Sequence, residues 1–238
     1  MKVFYDIHIH STLSACGDEL QTPNNILNMA MLKKLDMIAI TDHNTLKHLP
    51  SFAKIIDSYD FLFLFGCEVT VKEGFHVLTY FENLETAMEF DQILEKKNTK
   101  EPHDAEKYGK QMIYDEYDMP LQEIDYHLNY PLDITFLELI TIVKKLEGIV
   151  IPAHIDRRGS GILDKYQNLE LFDIDGIEIC DTGKKEQLLK ENKSLRKIPK
   201  VYNSDAHSLD MINERIHYLE LEELTFQGFK KYLVDQHE

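Results

Sequence analysis

Six of the eleven histidines fall at or just past the ends of strand-like runs: His8, His10, His43, His76, His154 and His207. Acids accompany them at Asp6, Asp18, Asp42, Glu68 and Asp205. Imidazole and carboxylate together form the donor set of divalent-metal sites. In the opening run "DIHIH", strict alternation puts Asp6, His8 and His10 on one side and Ile7 and Ile9 on the other. Two imidazoles at i and i+2 can share one ion. Asp6, one step deeper on that face, is expected to accept the second ring N–H and fix its tautomer. Glu68, in "GCEVT", is an acid inside an otherwise apolar run, where an unpaired carboxylate is costly or takes up a proton. A bridging position between two cations removes that penalty. "SDAH" sets Asp205 and His207 two apart, and "TDH" sets Asp42 against His43, behind the ligands. His48, His103, His127, His217 and His237 lie outside strand ends and are expected to be solvent or packing histidines, His127 within a lid-like segment.

The elements that must position these groups alternate between strand and helix. "KVFYDIHI" leads into "TPNNILNMAMLKKL", where Thr22 reads as an N-cap with Pro23 at the first helical position. "DMIAITDH" reads as a strand and "LPSFAKIIDSY" as a helix. "FLFLFGCEVTV" and "GFHVLTYFE" flank the short turn "KEG" as neighbouring strands or a hairpin. "NLETAMEFDQILEKK" is helical. Residues 98–131 break the rhythm, being polar, rich in Tyr and acids, and carrying three prolines. They read as an insertion, a small hairpin or lid over a site. Alternation then resumes through the helix "DITFLELITIVKKLEG", the strands "IVIPAHI" and "FDIDGIEIC", the Lys-rich helix "KKEQLLKENKSL", the strand "PKVYNSDAH", "RIHYLELEE" and the helix "LTFQGFKKYLVDQ". Repeated strand–helix units without a linker predict a single α/β domain over 1–238. In such sheets catalytic groups gather at the carboxyl ends of strands, which predicts one face and one pocket.

Composition narrows the function classes. The 238 residues include 43% hydrophobic positions, enough to bury a sizeable core, and carry a formal net charge of −16. A surface of that sign repels phosphate backbones and anionic membranes, so long nucleic acid is not an expected stable partner. A small anionic substrate stays open, because bound cations reverse the sign locally. No run approaches the apolar length of a membrane span, and the first residues lack the pattern of a signal peptide. Cys16, Cys67 and Cys180 are scattered with no CxxC spacing, which points to reduced, intracellular thiols and a cytoplasmic location. Nothing specifies an oligomeric state. There is no GxSxG elbow, P-loop or GxGxxG turn.

Taken together and in order, "DIHIHST", "ITDHNT", "CEVT", "PAHI" and "NSDAH" resemble the signatures of the PHP family, named for polymerase and histidinol phosphatase. The resemblance spans residues 6 to 207. It implies a distorted (β/α)7 barrel, similar to a TIM barrel, with two or three divalent ions at the carboxyl ends of its strands. Carried over by position, it implies one metal on His8, His10, Glu68 and Asp205. A second would share Glu68 with His76 and His154, and a third would use Asp18, His43 and His207, the set expected to serve catalysis. Family spacing after the second histidine is shorter ("HSxxSDG") than "HSTLSACGDELQTP" here, so Glu19 or Cys16 is an alternative to Asp18. The donor types suit Zn²⁺, Mn²⁺ or Fe²⁺ and do not choose among them.

The activity implied is hydrolysis of a small phosphate monoester of the nucleotide, sugar or histidinol phosphate class by a metal-activated water. Arg157 and Arg158 directly follow "PAHID" and are expected to grip phosphate, Arg157 foremost. The alternatives are a phosphodiesterase or 3′→5′ exonuclease on the same cluster, or a catalytically silent metal-binding regulatory protein.

Overall fold

The computed structural model describes residues 1–236, so His237 lies outside the described residues. Its elements are β1 (Lys2–Ile9), α1 (Pro23–Leu32), β2 (Met37–Ile40), α2 (Leu49–Ala53), β3 (Leu62–Thr70), β4 (His76–Phe81), α3 (Leu84–Lys97), α4 (Ala105–Tyr108), β5 (Met112–Tyr114), β6 (Pro120–Glu123), α5 (Phe136–Lys145), β7 (Ile149–Pro152), β8 (Ile177–Glu178), α6 (Lys185–Glu191), β9 (Lys200–Val201), β10 (Tyr218–Glu220) and α7 (Phe226–Asp235). Six strands form one curled half-barrel sheet in the order β10-β1-β2-β3-β4-β7. β1, β2 and β3 are parallel, while β4 runs antiparallel to both β3 and β7. The hairpin at "KEG" therefore reverses direction, and the start of β4 lies beside the end of β3 (Thr70 opposite His76). His76 reaches the common rim from a strand's beginning, not from its end.

Alternation within the strands sorts the core into two faces. Ile38, Ile40, Phe63, Phe65, Val69, Val77 and Phe81 meet α1, α2, α3 and α5 through Leu27, Phe52, Phe90 and Leu139. The opposite face collects Tyr5, Ile7, Ala39, Leu64, Leu78, Tyr80 and Ile151, closed by Phe226, Phe229 and Leu233 of α7. At roughly 1.5–3 kcal/mol for each large apolar side chain buried, these faces supply the driving force that holds the rim in place. α5 begins with a reciprocal capping box between Thr135 and Glu138, and Pro23 opens α1 as its sequence predicts.

Two strands are much shorter than their sequences suggest. β8 and β9 pair for two residues each, in parallel. Beyond them the backbone bonds irregularly: the Ile155 amide donates to Glu178 O (3.0 Å), and His10 and Ala206 bond across to β1 (His10 N to Ala206 O, 2.9 Å). His154 (φ 26°) and Asp205 (φ 53°) take left-handed backbone, which no continuing strand allows. Such conformations cost about 1–3 kcal/mol each in non-glycine residues and concentrate at functional sites.

Residues 98–131 carry α4 and the β5–β6 hairpin. Ile113, Ile124 and Leu128 close with Leu13 into a separate small core. The hairpin is stitched to the loop after β1: the Met112 amide donates to the Thr12 carbonyl, the Thr12 hydroxyl donates to the Met112 carbonyl, and Gly109 approaches Ala15 so closely that a Cβ would lie 2.4 Å from its carbonyl oxygen. His48 also bonds here as a packing residue. Ser11 Oγ donates to Asp42, so it accepts from His48 Nδ1 (2.7 Å), leaving His48 Nε2 to accept the Tyr114 amide (3.0 Å).

Candidate metal centre

Side chains from six places meet at the rim. His8 and His10 come from β1, His43 from the end of β2, and Glu68 from β3. His76 opens β4, His154 follows β7, and Asp205 and His207 follow β9. Ligand atoms of His8, His10, Glu68 and Asp205 lie within 4.8 Å of one another; so do those of His10, His43 and His207, and those of His43, Glu68 and His76. Glu68 is the hub. Its Oε1 lies 2.8 Å from His76 Nδ1 and 2.9 Å from His154 Nε2, and its Oε2 lies 3.0 Å from His43 Nδ1 and 3.3 Å from His10 Nε2. Glu68 thus stands between the histidines of several strands, at the centre of the convergence.

The donors fit divalent cations. His8 Nε2 and His10 Nε2 face each other at 3.2 Å in full burial, although both rings spend their Nδ1 elsewhere. Glu68 Oε2, His43 Nδ1 and His154 Nδ1 are buried without any hydrogen-bond partner among the described residues. Converging lone pairs left unsatisfied in a dry interior are costly unless a cation takes them up.

Neighbouring groups set the rings' tautomers. Ser14 Oγ donates to Asp42 (2.7 Å) and so accepts from His10 Nδ1 (2.9 Å). Glu178 accepts from His8 Nδ1 (3.0 Å), and the Asp205 carbonyl accepts from His207 Nδ1 (2.7 Å). Each arrangement turns Nε2, unprotonated, towards the cage. Among the side chains alone, burial pushes Glu68 up, but His76, His8 and His43 together hold it well below the usual carboxylate range. Burial pulls His10 down, yet Asp205 and Glu68 outweigh it and raise the ring to about 9. Burial lowers His43 to about 4 despite Glu68. The cage thus concentrates anionic charge that ions can replace protons to satisfy.

A family model described as PHP domain matches residues 6–223. The chain belongs to the PHP domain family. Its members' metal dependence agrees with the cage just described. The lesion-specific endonuclease PfuEndoQ of Pyrococcus furiosus superposes with a TM-score of 0.71 at 23% identity, over 97% of this chain and 55% of that one. An Endonuclease Q bound to a 27-mer duplex with an abasic lesion at the active site gives 0.70 at 22%, over 99% and 57%. A Bifidobacterium adolescentis protein provisionally described as a metal-dependent phosphoesterase gives 0.56 at 18%, over 97% and 95%. An uncharacterized Methanocaldococcus jannaschii protein, MJ1587, is 32% identical over 77 residues, 45% of its length. The superpositions show a shared fold, and this PHP chain spans a little over half the length of the endonuclease chains.

Within the PHP cage two sequence expectations shift. Asp6 does not touch a histidine ring. One extra residue of β1 opposes β2 between Asp6 and Ile9, and this bulge turns His8 and His10 to the Ile7 side and Asp6 away. Asp6 instead accepts from Ser204 and the Asn213 amide, tying β1 to the loop after β9. Glu178 takes the role expected of Asp6. Nothing near it in the chain marks it as a partner of His8, but it is an acid in an apolar run ("GIEIC"), the same signal that singled out Glu68. Asp18 is exposed and its carboxylate accepts the Leu20 amide (2.8 Å), although its own amide bonds His207 O (2.7 Å). His10, not Asp18, completes the group with His43 and His207.

Of the other named residues, Asp42 acts through Ser14, as described. Arg157 lies at the cage edge, its Nη2 2.7 Å from Asp205 Oδ2, whereas Arg158 is exposed and pairs with no acid among the described residues, lining an outer cavity of about 490 Å³ with Arg157 and Lys184. Cys16 lines a different cleft, beside Ser14 and His43, and desolvation and then Glu68 push its thiol up to about 12, which keeps it protonated. Among the described residues no helix is long and apolar enough to cross a membrane.

Proposed function

We propose that this PHP domain hydrolyses phosphate esters at the Glu68-centred cage, with a small monoester of the nucleotide, sugar or histidinol phosphate class as the first reading. The observation that carries it is the buried, converging donor set of His8, His10, Glu68 and Asp205. His8, His10, Glu68 and Asp205 would hold one ion, Glu68, His76 and His154 a second, and His43 and His207 with His10 a third. When bound, Zn²⁺, Mn²⁺ or Fe²⁺ supplies Lewis-acid chemistry, neutralising phosphate charge and lowering the pKa of water. The chain's own contribution is orientation. Glu178 and Ser14 hold the His8 and His10 rings, and Arg157, already paired to the Asp205 carboxylate, stands where a phosphate oxygen could exchange for that partner.

A second reading, a phosphodiesterase acting on nucleic acid, is favoured by the superposition on the lesion-specific endonuclease. Net charge of −16 counts against it, and the rest of that longer chain could supply what this surface lacks. We read β1, β2, β3, β4, β7, β8 and β9 as the seven strands of a distorted barrel in one domain, residues 98–131 as a lid, and the reduced thiols as cytoplasmic. The test is Mn²⁺- or Zn²⁺-loaded protein offered nucleotides, sugar phosphates, histidinol phosphate, an oligonucleotide and an abasic duplex. Release from the monoesters supports the first reading and strand cleavage the second. Silence on all of them with metals bound leaves the regulatory alternative.

A further inference from the structure

Residues 98–131 carry a set of rings that their own small core does not use. That core is Leu13, Ile113, Ile124 and Leu128. The rings stand apart from it. Tyr108 stacks on His127 (centroids 5.0 Å apart, planes 24° apart), His103 lies 5.3 Å from His127, and Tyr130 lies 6.0 Å from it. Tyr108 is 44% exposed and Tyr130 50%, so the cluster meets solvent instead of filling an interior. Burial and then His103 lower the His127 pKa, which leaves a neutral ring in the stack.

The stack borders a cleft of about 80 Å³ lined by Ser14, Cys16, His43, Tyr108, His127 and Asn129. Two of these residues belong to the metal cage or its support: His43 faces Glu68, and Ser14 holds His10. The polar side chains of the insertion differ in what they have left to offer. Gln111 spends its amide on Ile124 O, Tyr126 O and the Leu128 amide, whereas the Asn129 carboxamide bonds nothing among the described residues. An aromatic face and a free amide beside a phosphoester centre are the two parts of a base-binding site, one stacking and one reading a hydrogen-bonding edge.

We propose that this cleft seats a nucleobase, stacked on Tyr108 and contacted by Asn129, so that the esters handled at the neighbouring cage are nucleotidyl ones. The inference rests on the phosphoester reading and names its substrate class. Lys107 Nζ lies 4.6 Å from the Tyr108 ring and competes for it. That exposed contact is worth roughly 2- to 5-fold in an equilibrium, against about 5- to 150-fold for a stacked base, so the base displaces it.

The experiment pairs binding with turnover. Saturation-transfer NMR on Mn²⁺-free protein with adenosine, which has no phosphate, reads contact with the adenine protons. Turnover of adenosine 5′-monophosphate and ribose 5-phosphate by Mn²⁺-loaded protein gives a ratio of kcat/KM values. Tyr108→Ala should abolish most of the adenine signal and lower the ratio about 10-fold, and Tyr108→Phe should restore both. An adenine signal unchanged in Tyr108→Ala overturns the base site, as does a ratio that does not move while both esters are turned over. If neither ester is hydrolysed, the monoester reading falls, and the NMR arm still decides the base site by itself.

Discussion

Replacing Glu178 by Gln removes one of the two oxygens that hold the back of the cage. Glu178 is 2% exposed. It accepts His8 Nδ1 on both oxygens (3.0 and 3.1 Å), the His154 amide on Oε2 (2.7 Å) and Asn203 Nδ2 on Oε1 (2.7 Å). A glutamine oxygen placed at Oε1 leaves its NH₂ facing the His154 N–H, donor against donor. Placed at Oε2, it leaves the NH₂ facing Asn203; turning Asn203 over takes its Oδ1 from the Ile7 amide, 3.1 Å away. Either way one buried donor is stranded, at about 1–3 kcal/mol. The His8 bond also loses its charge assistance, roughly 1 kcal/mol more. Supporting carboxylates behind metal-bound histidines are worth about 10- to 100-fold in metal affinity. Glu178→Gln is therefore expected to bind Mn²⁺ about 10- to 100-fold more weakly by calorimetry against a competing chelator. Its metal-free melting temperature should fall by roughly 4–16 °C, at about 2–4 °C per kcal/mol for a chain this long. Parental affinity in a folded Glu178→Gln protein would refute the assignment of Glu178 as the group that orients His8.

Three further outcomes are expected. His8→Ala should lose bound metal and phosphate release together, measured by metal analysis and a phosphate assay; a variant that keeps both would remove His8 from the first metal. Asp18→Asn should keep the parental number of ions per chain, because its carboxylate lies on the Leu20 amide; loss of one ion would return Asp18 to the cage. Glu95 joins Lys47, Lys100 and Tyr126 of the insertion, and these bonds outweigh partial burial and hold its carboxyl down to about 2. Its folded value lies below an unfolded value of about 4.3, so its stabilisation is full above that pH and is lost as the pH falls towards 2. Urea unfolding of the parent and Glu95→Gln should therefore show a stability gap at pH 6 that closes towards pH 2.5, and a constant gap would refute the linkage.

What the sequence made legible was local or repeated. The strand–helix alternation, the α1, α3, α5 and α7 segments and the β3–β4 hairpin are patterns of neighbouring residues, and the structure has them. β8 and β9 are shorter than the runs "FDIDGIEIC" and "PKVYNSDAH" read as strands, each pairing for two residues. The left-handed residues His154 and Asp205 lie past β7 and β9, and no glycine announces them. His76 was grouped with the residues at strand ends, and the antiparallel course of β4, a matter of pairing, brings the start of that strand to the same rim.

The cage shows the same division between chemistry and geometry. Residue type picked out the side chains that converge, because buried imidazoles and a carboxylate in an apolar run need partners. Position within the supporting layer was not legible. Asp6 sits two residues from His8 and looked like its partner, yet a bulge in β1 turns it away. The actual partner, Glu178, lies 170 residues further on. A carboxylate buried there needs donors as much as His8 needs an acceptor, and it also takes the His154 amide and Asn203. One side chain thus fixes a ring from β1, the turn after β7 and the segment after β9, so the order of the cage depends on closing the sheet around it.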